Sequence, residues 1–60
     1  MFESYKDVVT INELTEMLNI GRNRAYALVN SGEIMSFLVG KTHRIPKKNI
    51  ISFIDKQINI

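Results

Sequence analysis

Three consecutive side chains, Arg22, Asn23 and Arg24, are the part of this sequence best equipped for chemistry. Two guanidiniums and an amide carry hydrogen-bonding groups but no nucleophile, so the chemistry they offer is recognition. Arginine grips guanine or phosphate with a two-pronged fork, and asparagine pairs with adenine. A second polar set follows at Lys41, Thr42 and Arg44, and a basic pair at Lys47 and Lys48. The charge is unevenly spread. Met1 to Gly21 carries a net −3, from Lys6 against Glu3, Asp7, Glu13 and Glu16. Arg22 to Lys48 carries a net +5, from six cations against Glu33. Positive charge thus begins at Arg22 and suits a polyanion. Charge alone describes an ordinary solvated surface equally well.

Other chemistries find little support. The chain has no cysteine, which removes disulfides and thiolate metal sites. His43 is the sole histidine and cannot build a metal centre by itself. It is expected as a partly buried, hydrogen-bonded ring. No serine or aspartate has a spacing that suggests a triad, and no carboxylate pair stands ready for acid–base work. Gly21, Gly32 and Gly40 are isolated and make no phosphate-binding loop. The expectation is a non-enzyme with no catalytic residue, metal or cofactor. No apolar run approaches the roughly 20 residues of a membrane span, and the segment Met1 to Asp7 lacks the apolar core of a secretory signal. A cytoplasmic location away from membranes is the expectation. Sixty residues at 45% hydrophobic content make one small domain, 1–60, rather than a disordered tail.

The elements that must position these groups are legible from spacing. Met1 to Asp7 carries little pattern and is expected to pack loosely, and Val8-Val9 to add a short strand. Thr10 followed three residues later by Glu13 makes a capping box. Ile11, Leu14 and Leu18, widened by Met17, give a first helix one apolar stripe. Asn19-Ile20-Gly21 ends it, with Asn19 left-handed, Ile20 turned inward and Gly21 capping the next helix. That second helix runs from about Arg22 to Asn30, buries Ala25, Leu28 and Val29, and stops at Ser31-Gly32. Two short helices around such a turn read as a helix-turn-helix over residues 10–30, with Arg22, Asn23 and Arg24 opening the recognition helix. Residues 35–46 change period and form a hairpin about Gly40-Lys41. Tyr26 has two roles open to it, a sugar or phosphate contact or a half-buried cover for that hairpin. Phe37 and Val39 are expected inward and Leu38 outward, with His43 and Ile45 inward and Thr42 and Arg44 outward. Pro46 leads into a last helix over 47–58, which packs Ile50, Phe53, Ile54 and Ile58. The fold class is α+β and mainly α: a winged helix-turn-helix of two N-terminal helices, a β-hairpin wing and a C-terminal helix. Arg22, Asn23, Arg24 and Tyr26 are candidate DNA contacts on the helix, Lys41, Thr42 and Arg44 on the wing, and Lys47 beside it.

An ordered set of motifs resembles the excisionase-type DNA-binding domains, a small branch of the MerR-like winged helix-turn-helix proteins. It comprises Thr10, Glu13-Leu14, Asn19-Ile20, the run from Arg22 to Val29, Ser31-Gly32-Glu33-Ile34, Phe37-Leu38-Val39-Gly40 and Arg44-Ile45-Pro46. The resemblance spans Val8 to Ile54. It implies recognition-helix contacts from Arg22 through Tyr26, a phosphate contact from Arg44 and a wing at Gly40-Lys41. It also implies a function: binding and bending attachment-site DNA to assist a tyrosine recombinase, the integrase, with copies placed side by side on the DNA. A chain of this length, without an attached effector domain, favours that role. A small transcriptional regulator, or a protein-interaction module on the same fold, is the alternative. Leu38 and Ala27 stand where such domains often carry cations, and Met35, Gly21 and His43 also depart from the pattern. These departures imply modest affinity per monomer, and an exposed Leu38 would suit a neighbouring subunit or a partner protein.

Overall fold

The computed structural model describes residues 1–58, so Asn59 and Ile60 of the expected 1–60 domain lie outside the described residues. The elements are β1 (Val8–Val9), α1 (Ile11–Leu18), α2 (Arg22–Asn30), β2 (Phe37–Val39), β3 (Thr42–Pro46) and α3 (Lys47–Ile58). The capping box forms as the sequence predicts. Thr10 accepts from the Glu13 backbone N–H at 3.2 Å, and the Glu13 carboxylate accepts from the Thr10 N–H at 2.9 Å. Asn19 takes the left-handed conformation at φ 55°, and the Ile20 N–H reaches back to the Thr15 carbonyl at 3.0 Å. This geometry turns the chain into α2 without a glycine at the left-handed position. Gly32, at φ +84°, closes the other end of α2.

Among the described residues the core is one cluster of nine buried side chains: Val9, Ile11, Leu14, Ala25, Leu28, Val29, Ile34, Ile45 and Ile50. Leu14, Ile34, Ile45 and Ile50 are fully enclosed, each contributing roughly 1.5–3 kcal/mol by burial. Ala25 is buried to 0% exposure, and its small side chain lets α1 and α2 cross closely. Ile34 had no periodic signal, because it stands alone in the turn between α2 and β2. On α3, Ile50 is buried and Phe53 and Ile54 pack against the cluster, but Ile58 is 69% exposed. The expected stripe on α3 therefore stops one turn short, where no neighbouring element remains to cover it.

The sheet is antiparallel in the order β1-β3-β2, so β3 is its centre. Val8 and Val9 pair with Pro46 and Ile45, and Phe37, Leu38 and Val39 pair with Arg44, His43 and Thr42. This register corrects the expected facing of the hairpin. Directly paired residues share a face, so Phe37 goes with Arg44 and Leu38 goes with His43. Phe37 and Val39 are not in the core; with Leu38 they stand 47–59% exposed, because the hairpin projects beyond the helices. Ile45 faces inward as expected, and His43 is half-buried.

The N-terminal segment does not pack loosely. Phe2 and Tyr5 lie against the core and meet edge-to-face at 6.0 Å. Lys47 holds this segment with its backbone N–H on the Asp7 carbonyl at 2.7 Å. Its Nζ donates to the carbonyls of Phe2 and Tyr5 at 3.2 and 3.1 Å. The isolated pattern of residues 1–7 hid this because its anchor lies 40 residues away. No described helix is long and apolar enough to cross a membrane.

Candidate nucleic-acid interface

The start of α2 is electrostatically unusual. Gly21 supplies no side-chain cap, and the first turn holds no acidic residue. The free N–H groups and the positive end of the helix dipole favour an anion there, yet Arg22 and Arg24 occupy it. Among the described residues the one ion pair joins the N-terminal ammonium to Glu3. Among the described residues, then, no carboxylate forms an ion pair with Arg22, Arg24, Lys41 or Arg44. Arg44 and Glu33 form no ion pair; Glu33 accepts from the Ser31 hydroxyl at 3.1 Å.

Helix geometry separates residues that adjoin in sequence. Arg22 and Arg24 stand about 200° apart around the helix axis. Arg22 lines a cleft of about 280 Å³, together with Asn12 of α1, Tyr26 of α2, and Lys41, Thr42 and His43 of the hairpin. Arg24 borders a different groove, beside Leu18, Ile20, Leu28 and Phe53. The fold thus brings four sequence-predicted site residues, Arg22, Tyr26, Lys41 and Thr42, to one cleft. Asn23 is exposed on α2. Arg44, paired with Phe37, faces the opposite side of β3 from His43. Lys47 is drawn to the N-terminal carbonyls, which gives it a structural task the sequence did not show.

Within the cleft a chain of contacts runs from α1 to the wing. Arg22 Nη1 donates to Asn12 Oδ1, and Nη2 donates to the Tyr26 hydroxyl at 3.3 Å. The guanidinium carbon lies 5.6 Å from the Tyr26 ring centroid, a cation–π contact. Tyr26 meets His43 edge-on at 6.0 Å, and His43 Nδ1 shares a hydrogen bond with the Ser36 hydroxyl at 3.1 Å. The expectation for His43, a partly buried and hydrogen-bonded ring, is met. Tyr26 covers His43 of the hairpin and keeps 36% of its surface exposed. Asn12 was missed as a site residue because it lies ten positions from Arg22, on the polar face of the other helix.

No described cluster of three or more His, Asp or Glu residues could hold a metal. A family model described as a helix-turn-helix domain matches residues 8–58. A protein named as a probable excisionase from Saccharopolyspora erythraea is 44% identical over 43 residues. That stretch is 72% of this chain and 44% of the relative, so the chain spans less than half of that protein's length. No solved structure matches the chain.

Proposed function

The chain belongs to the helix-turn-helix domain family, and on that premise we propose that it is of the excisionase type and binds double-stranded DNA without catalysing a reaction. α2 enters a major groove with Arg22, Asn23 and Arg24 leading, and the hairpin holds the flanking backbone through Lys41, Thr42 and Arg44. One observation carries most weight: the cleft that joins the first residue of α2 to the wing tip holds two cations, Arg22 and Lys41, and no carboxylate among the described residues is paired to either. Such a site attracts phosphate. Binding to a duplex measured from 50 to 200 mM salt tests it. Each neutralised phosphate adds about −0.9 to the slope of log K against log salt, so three or four contacts give a slope of roughly −3. A flat profile, or no binding at 50 mM, rejects the proposal.

The finer role we propose draws its support from the relative named as a probable excisionase. In this reading the protein bends attachment-site DNA and assists an integrase to excise a mobile element. Adding it to integrase and attachment-site DNA should raise the yield of excised circles; an unchanged yield leaves DNA binding but removes the recombination role. A protein-interaction module is favoured by a separate observation. Met35, Phe37, Leu38 and Val39 expose 47–65% of their surfaces, and adjoining exposed apolar side chains suit a protein partner.

A further inference from the structure

Arg22 is held by two elements at once. Its Nη1 donates to Asn12 Oδ1 from α1, and its Nη2 and guanidinium face engage the hydroxyl and ring of Tyr26 from α2. A guanidinium carries five N–H donors, and these bonds use two. One donor on each terminal nitrogen and the Nε–H remain, so the fork is still able to meet a two-acceptor edge such as that of guanine. An unheld arginine must give up extensive rotamer freedom before it can do so. Arg24, by contrast, makes no side-chain hydrogen bond among the described residues and borders an apolar groove.

We infer that Asn12 is a positioning residue for base discrimination: by accepting from Arg22 it fixes the plane of the guanidinium against Tyr26, so a side chain of the first helix sets how the second helix reads its site. The inference rests on the DNA-binding reading above. Asn12 is exposed in the first turn of α1, so alanine is tolerable there. The clamp also explains why the cation can stand at an uncapped helix start without a carboxylate. The amide oxygen and the tyrosine ring supply its negative partners.

The test uses the full chain and a duplex selected from a random pool by the wild-type protein, with every single base-pair variant of that duplex. Arg22→Ala should reduce the preference at one base pair about ten-fold. Asn12→Ala should reduce the preference at that same base pair at least three-fold and leave the salt slope unchanged. The double variant should be no worse than Arg22→Ala. Asn12→Asp keeps an acceptor oxygen and should retain the preference, at lower overall affinity because it adds negative charge. Additive losses in the double variant would mean that Asn12 touches DNA itself, and an unaltered preference in Asn12→Ala would mean that it only decorates the surface. Either result overturns the inference. A DNA-free measurement separates the clamp from the function. ¹⁵N relaxation of the arginine Nε–H groups should show Arg22 more ordered than Arg24, falling to the Arg24 level in Asn12→Ala. Equal order in the wild-type protein overturns the clamp. A wild-type chain that selects no duplex removes the premise while leaving the ordering of Arg22 intact.

Discussion

At the scale of single residues, the same side-chain chemistry serves recognition or structure according to what lies within reach. Lys47 and Lys41 are both cations near the wing, but Lys47 spends its ammonium on two backbone carbonyls and Lys41 lines the cleft. Lys47→Met should therefore lower unfolding free energy by about 1–2 kcal/mol in a urea titration, as expected for charge-assisted bonds in a half-buried site. Its DNA affinity, measured where the protein stays folded, should change little. Arg44→Ala should do the reverse: weaken binding evenly across sequences and lower the salt slope by about 1, with stability preserved. Tyr5 adds a pH effect. Desolvation first, then its hydrogen bond to Glu16 at 3.2 Å, raises its phenol above the ordinary 10.0. The unfolded chain then loses that proton at lower pH than the folded one. The stabilisation is complete below pH 10 and fades as pH rises through the raised value. Thermal unfolding above pH 10 should show the decline, and Tyr5→Phe should flatten it.

At the scale of elements, local rules predicted starts and stops well and facing poorly. Thr10 with Glu13, Asn19 at the turn, Gly21 before α2 and Ser31-Gly32 after it all follow from backbone chemistry confined to a few residues. The facing of β2 was wrong because a strand of three residues supplies too few alternations to fix its phase, and the pairing partner decides it. The site was legible in part for the same reason. The residues Arg22, Tyr26, Lys41 and Thr42 could be named from the sequence, but which of them share a cleft depends on how α2 is rotated against the hairpin. The contact between Asn12 and Arg22 leaves no sequence signal at all. Two substitutions probe the elements directly. Thr10→Ala removes the reciprocal cap of α1 and should cost about 1 kcal/mol in chemical denaturation. Gly32→Ala forces a side chain into φ +84° and should cost roughly 1–2 kcal/mol, although open space surrounds the position, so strain and not crowding is measured.

At the scale of the whole molecule, the nine buried side chains of the described residues must support a domain that presents cations on α2 and the hairpin, two of them in one cleft, and bare apolar surface on that hairpin. Stability is thus expected to be small, a few kcal/mol, and bound DNA should raise the unfolding midpoint as ligand concentration rises. Differential scanning with increasing duplex checks this, and a fixed midpoint would contradict specific binding. The order of strands carries a further consequence. β3 is the last described strand and the middle one in the sheet, and it receives β1 from 38 positions earlier in the chain, Val8 against Pro46. In a nascent chain α1 and α2 are too short to hold as isolated helices, because eight or nine residues need tertiary packing to be stable. The strand partner of Val8 and Val9 does not exist until residue 46 has cleared the exit tunnel, and the lysine that ties down Phe2 and Tyr5 is the very next residue. The helix pair therefore gains its cover only with one short stretch, residues 45–50, which brings the sheet, the core residues Ile45 and Ile50 and the N-terminal tie together.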